Sequence, residues 1–321
     1  MTTPVTIVSG FLGAGKTTLL SRILADPGDR RYGVLVNDFG DLNIDAELIA
    51  ESHPDRIALS NGCICCTIRD DLLAAAIGLI RETQPPEYVL IETSGVSNPV
   101  AVADVFFRGP GATDFRVDGI FCLIDGENFS SLDFENSELA IEQAAVADIV
   151  LLNKTDRTTE EVLGDVTQTL LGAQPAMRIL RTVHADVPRS VLDESPDRPP
   201  RETGPVPEAH DHYHGTSFES WAWRSTDRLS LDTFRRAIAD LPNTIYRAKG
   251  ILRFADAPQQ RGIFQLVGKR STLTFEPDPS NDGSSSLVVI GRQGEFDPAI
   301  LTIIFDACLR TEAQSEYTPP A

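Results

Sequence analysis

Lysine is scarce in this chain, methionine and tryptophan occur twice each, and no apolar run approaches the ~18 residues that a membrane span needs. No membrane association is therefore expected. Met1-Thr2-Thr3-Pro4 carries no basic segment followed by an apolar stretch, so a secretory signal is not expected either and the cytoplasm is the expected compartment. Basic residues are short: 28 Lys and Arg face 47 Asp and Glu, a net charge of −19. That balance argues against a nucleic-acid partner, which needs basic patches to meet phosphates. It weakly favours cation capture, although an acidic background is the plainer explanation. Disulfides are not expected. The five cysteines are odd in number and three are clustered, which in a reducing compartment points to metal or redox chemistry.

What is present is a chain of 321 residues, 41% hydrophobic, enough for two domains. The first half alternates short apolar runs with helical patterns, which predicts an α/β fold with a mostly parallel sheet flanked by helices. Strands are expected at 5–8, 32–37, 56–59, 88–92, 119–125 and 148–153. Helices are expected at 16–25, 70–81, 137–147 and 158–171. Residues 186–215 carry six prolines, many charges and no apolar period, and read as a linker. A smaller α+β domain follows over 216–312, with strands at 218–223, 244–254, 262–267 and 286–290 and helices at 231–241 and 298–309. The domain expectation is thus 1–185, a linker at 186–215, then 216–312, with a disordered tail at 313–321. There is no internal repeat.

Gly10-Phe11-Leu12-Gly13-Ala14-Gly15-Lys16-Thr17 fits the phosphate-loop pattern between a strand and a helix. Its glycines let backbone N–H groups approach phosphate oxygens, and the helix N-terminus adds a favourable dipole. Lys16 is expected to reach the β- and γ-phosphates and Thr17 to ligate Mg²⁺. Asn153-Lys154-Thr155-Asp156 ends an apolar strand, at the sheet edge where open α/β folds bind ligands. Asp156 can accept hydrogen bonds from guanine N1–H and its 2-amino group, which adenine does not offer. Asn153 can bond the other base edge, and the Lys154 stem can cover the ring. GTP is therefore the expected nucleotide.

Glu92 follows Val89-Leu90-Ile91 and can hold Mg²⁺ or its water. Gly95 can give a close N–H to the γ-phosphate. Asp38, after another strand, is a second acid at that edge, open between Mg²⁺, the attacking water, a transported metal and simple capping. Cys63, Cys65 and Cys66 offer three thiolates in one loop, a donor set for Zn²⁺, Cu(I) and, in a tetrahedral site, Co²⁺. The competing readings are a redox dithiol and core packing. His210, His212 and His214 alternate at the end of the linker and can collect metal or be incidental polar residues. Cys122 and Cys308 read as core, and Trp221 and Trp223 as packing, with part of a partner surface as the alternative; His53 and His184 receive no role.

In order, these motifs resemble the CobW-type GTPases, a metallochaperone branch related to the hydrogenase and urease nickel-insertion GTPases. The matching residues are Gly10 through Thr18, Asn37-Asp38-Phe39-Gly40, Asn61-Gly62-Cys63-Ile64-Cys65-Cys66, Glu92-Thr93-Ser94-Gly95 and Asn153-Lys154-Thr155-Asp156. The resemblance implies a P-loop NTPase domain with a CobW-like C-terminal domain. It also implies GTP hydrolysis tied to delivery of Zn²⁺ or Co²⁺ to a client metalloprotein. It maps phosphates to Gly13, Ala14, Gly15, Lys16, Thr17 and Thr18, Mg²⁺ to Thr17 and Glu92, guanine to Asn153 and Asp156, and cargo metal to Cys63, Cys65 and Cys66. Many relatives carry glutamate where this chain has Asp38, which leaves the fourth metal ligand open. Two other functions compete: a metal store or sensor without delivery, and an NTP-dependent kinase or transferase without a metal. A monomer and a homodimer both remain open.

Overall fold

Short runs of Val, Ile and Leu with no polar alternation make strands that are buried on both faces, as a parallel sheet wrapped by helices requires. The computed structural model describes residues 2–27, 30–36, 58–60, 68–107, 113–192, 218–278 and 283–310. They fall into two units, Met1–Asp193 and Glu194–Ala321, each with its own apolar core.

The first unit runs β1 (Thr3–Gly10), α1 (Lys16–Ala25), β2 (Tyr32–Val36), β3 (Ala58–Ser60), α2 (Ile68–Ile80), β4 (Tyr88–Glu92), α3 (Pro99–Phe107), β5 (Phe115–Asp125), α4 (Phe134–Val146), β6 (Ile149–Asn153), α5 (Glu160–Ala173), β7 (Ile179–Arg181) and α6 (Arg189–Leu192). Its seven-stranded sheet has the order β3-β2-β4-β1-β5-β6-β7, and every pairing is parallel. Every residue of β2, β4 and β6 is buried. Consecutive carboxyl ends therefore meet at one edge, and the loops that leave them carry the motifs. Asp133 caps α4 by accepting from the Asn136 N–H, and Thr159 caps α5 from the Val162 N–H.

Two elements of this unit lacked a sequence signal. Helix α3 is nine residues of nearly continuous apolar character, so it has no 3.6 period to read. Strand β7 is three residues long. The chain also stays with this unit beyond 186, where the composition had suggested the linker begins. Val187, Val191 and Leu192 are buried, and Arg189 donates to the Pro27 carbonyl at 2.7 Å. Two branched apolar residues held at a helix were outweighed in the composition by the prolines and charges around them.

The second unit contains β8 (Phe218–Ser225), α7 (Leu231–Ala239), β9 (Ile245–Arg253), β10 (Gln260–Val267), β11 (Arg270–Pro277), β12 (Ser285–Arg292) and α8 (Pro298–Asp306). Its sheet is antiparallel in the order β11-β10-β9-β12-β8. Strand β11 was not legible because it is an edge strand whose residues are all partly or fully exposed. Phe234 of α7 and Phe305 of α8 share one core with Trp223, Leu252 and Phe264. Trp221 stacks on Phe305 with centroids 5.7 Å apart, and Trp223 Nε1 donates to Asp306 Oδ1 at 2.9 Å. Both tryptophans are packing residues.

Candidate nucleotide site

The turn between β1 and α1 is built by close approach. Gly15 precedes α1 at φ 107, a left-handed conformation, and a Cβ there would lie 2.5 Å from Asn153 Nδ2. Only glycine combines that backbone with that contact. Gly13, Ala14 and Gly15 thus form the turn, while Lys16, Thr17 and Thr18 open the helix. Lys16 is buried, and its Nζ donates to the Phe11 carbonyl at 3.3 Å, folding the ammonium back over the loop.

Thr17 meets Glu92. The Thr17 hydroxyl donates to Glu92 Oε1 at 3.1 Å, and Glu92 is 3% exposed at the end of β4. A hydroxyl and a buried carboxylate at the head of a phosphate loop are the hard oxygen donors that a Mg²⁺ ion takes. The residues present fit that ion.

After Glu92 the chain makes a turn, closed by Ser97 N–H to the Ser94 carbonyl at 3.0 Å. Asn98 Oδ1 then accepts from the Val100 N–H at 2.8 Å, and Pro99 opens α3. A Cβ on Gly95 would stand 2.8 Å from the Leu12 backbone nitrogen. The residue is glycine because the turn rests directly on the phosphate loop.

At the base end, Lys154 has φ 60, a left-handed conformation that a residue other than glycine rarely takes. Its Nζ pairs with Asp125 Oδ2 at 2.7 Å. Burial pushes the Asp125 carboxyl up, but hydrogen bonds from Asn128 and Lys154 outweigh it and hold its pKa below the ordinary value of 3.8. Asp156 is exposed. Asn153 differs from its sequence expectation. Its Nδ2 donates to the Ala14 carbonyl at 2.9 Å, and its Oδ1 accepts from Thr182 Oγ1 at 3.1 Å and Ala185 N–H at 2.8 Å. The side chain ties the phosphate loop to the 182–185 turn. Asp125, Thr182 and Ala185 were missed by sequence reasoning. Only the position of Asp125 at the end of an apolar run could have pointed to it.

A cavity of about 280 Å³ lies beside the loop, lined by Phe11, Leu12, Gly13, Asp125, Phe129 and Lys154 among others. The expected metal residues Asp38, Cys63, Cys65, Cys66, His210, His212 and His214 lie outside the described residues. The strands that lead to two of these segments are described. Val36 of β2 is paired with Ser60 of β3 on one side and Glu92 of β4 on the other.

A parallel sheet with a glycine loop after its first strand, a Thr–carboxylate pair at the loop's head and Asn153-Lys154-Thr155-Asp156 at the end of β6 defines a P-loop nucleotide-binding protein. The sequence profile of the CobW/HypB/UreG nucleotide-binding domain matches residues 4–181, and that of the cobalamin synthesis protein cobW C-terminal domain matches 218–309. The chain belongs to the CobW/HypB/UreG GTPase family, and its reaction is hydrolysis of GTP.

Among curated relatives, it is 30% identical over 337 residues to the zinc chaperone CobW of Pseudomonas aeruginosa, covering 93% of this chain and 89% of that one. It is 28% identical to the zinc chaperone CobW of Sinorhizobium, covering 94% and 96%. It is 36% identical over 188 residues to zinc-regulated GTPase metalloprotein activator 1 of Schizosaccharomyces pombe, covering 56% of this chain and 46% of that protein.

Proposed function

We propose that this GTPase is a metallochaperone: it binds Zn²⁺ or Co²⁺ through Cys63, Cys65 and Cys66 and passes the ion to a client metalloprotein in step with GTP hydrolysis. The supporting observation is the register of Ser60, Val36 and Glu92 across three neighbouring parallel strands. Parallel strands lie ~4.8 Å apart. In sequence, Asp38 follows Val36 of β2, the strand next to the one that carries Glu92, and the cysteine motif follows Ser60 of β3, one strand further out. The relatives named zinc chaperones favour Zn²⁺ as cargo, and no helix among the described residues is long and apolar enough to cross a membrane, in keeping with work in the cytoplasm.

In this reading the phosphates lie along Gly13 to Thr18, with Lys16 balancing their charge and the Gly95 N–H at the γ-phosphate. Thr17 and Glu92 would hold Mg²⁺, which would neutralise charge on the triphosphate. Asp156 reads guanine and Lys154, fixed by Asp125, covers the ring. The three thiolates leave a position for a fourth ligand, from Asp38 or the client, and His210, His212 and His214 collect metal for them. An incomplete shell suits a carrier, because closed four-ligand sites hold zinc firmly.

The test is a thermodynamic cycle. Zn²⁺ affinity is measured on the full chain with Mg²⁺ plus a non-hydrolysable GTP analogue, and again with GDP. A coupling of ~1–3 kcal/mol, about 5–150-fold, is expected, and zinc must tighten the analogue by the same factor. Equal zinc affinities in the two states would leave a GTPase with a metal site but no switch between them.

A further inference from the structure

We propose that Gln143 is a positioning residue for the γ-phosphate loop, a role that rests on the nucleotide reading above and extends it to the regulation of the same site. Gln143 lies on α4, is 1% exposed, and belongs to none of the sequence motifs. Its single Nε2 donates to two carbonyls of the turn after Glu92: Gly95 at 3.1 Å and Ser97 at 3.0 Å. Both of its N–H hydrogens are thus spent on one turn. The turn is gripped from the other face as well, because Gly95 rests on the backbone of Leu12 in the phosphate loop. Gly95 is therefore held between the phosphate loop and α4. The carbonyl of Gly95 is held by a side chain 48 residues away in sequence.

Two buried polar atoms lie beside this arrangement. Gln143 Oε1 and Thr93 Oγ1 have no hydrogen-bond partner among the described residues, and they flank the same turn. A buried acceptor and a buried hydroxyl left unsatisfied are costly. A shift of the turn that brings a backbone N–H to Oε1, or a ligand oxygen to Thr93, removes that cost. Such a shift is what the arrival of a γ-phosphate at Gly95 would drive. Gln143 then carries the event into α4, whose Ala140 lines the cavity beside the phosphate loop.

The experiment measures affinities of the full chain for fluorescent GDP and for a non-hydrolysable GTP analogue, both with Mg²⁺. Gln143→Met keeps the length of the side chain and removes both donors. The preference for the analogue over GDP should fall about ten-fold, which corresponds to about 1.4 kcal/mol. Gln143→Glu, nearly the same shape, has no N–H for either carbonyl when ionised and should lose the same preference. It keeps the test in hand if the methionine variant does not fold. A role in packing alone would weaken both nucleotides equally and leave their ratio unchanged, and an unchanged ratio in the folded variants overturns the proposal. Failure of the wild-type protein to bind either nucleotide would overturn the nucleotide reading, and this inference with it.

Discussion

The two units use buried polar groups in opposite ways. In the first, the polar side chains at the carboxyl edge of the sheet are tied to one another and to loops: Thr17 to Glu92, Asn153 to Ala14 and Ala185, Lys154 to Asp125, Gln143 to Gly95 and Ser97. In the second, Phe234, Phe254, Phe264 and Phe305 are buried together with Arg247, and polar contacts serve the frame, as when Arg253, 3% exposed, pairs with Asp278 at 2.7 Å. The parallel sheet gathers its loops at one edge, and chemistry collects there. The antiparallel sheet scatters its turns and keeps its sequence for packing. No cluster of three potential metal ligands occurs among the described residues of either unit.

The largest effect should come from the aromatic core. Phe234 is 1% exposed and meets Phe254, Phe264 and Phe305 with ring centroids 5.5, 5.0 and 6.2 Å away. Phe234→Ala should cost about 3–5 kcal/mol. Both tryptophans of the chain lie in this unit, so their fluorescence during denaturation reads it selectively. A tryptophan transition at the wild-type denaturant concentration would show that the ring cluster does not hold the second unit together.

Lys16→Ala tests the other side. Removing a charge preorganised at the phosphates should lower GTP turnover by about 10²–10³-fold. The tryptophan transition should stay in place, since Lys16 belongs to the first unit. A matching loss of tryptophan stability would mean that the two units are not separable in the way their cores imply.

The same contrast explains what could be read from sequence. The motifs of the first unit were legible because each follows a run such as Val89-Leu90-Ile91 or Ile149-Val150-Leu151-Leu152, and a strand's end fixes where its loop must stand. Helix α1 and strand β4 have their expected bounds, 16–25 and 88–92. What remained hidden depends on tertiary partners. Gln143 looks like any polar residue on a helix, and the commitment of Asn153 to Ala14 is invisible until β6 and the phosphate loop are side by side. Strand β11 hides for the opposite reason: Arg270–Pro277 is half polar because it sits at an edge, and nothing local separates it from a loop.

The smallest effect expected is an absence of reaction, and it sets one cysteine of each unit against the other. Cys122 lies in β5 with no exposed surface. Burial pushes its thiol up to about 12, against a smaller opposing pull from the Ser9 hydrogen bond and the Lys16 charge. Cys308, just past α8, is also without exposed surface, its Sγ donates to the Ile304 carbonyl at 3.2 Å, and burial raises its thiol to about 11. The thiolate is the reacting form, so at pH 8 only about 10⁻⁴ of the first and 10⁻³ of the second would be available even to a reagent that reached them. Alkylation of the native protein, followed by peptide mass analysis, should leave both unmodified, with Cys308 reacting first as the pH is raised. Saturating the protein with zinc should not alter this order, because neither thiol belongs to the proposed metal site. Rapid labelling of Cys122 at pH 8, or its protection by zinc, would contradict its place in the parallel sheet. It would also put a fourth thiolate among the candidates for the metal.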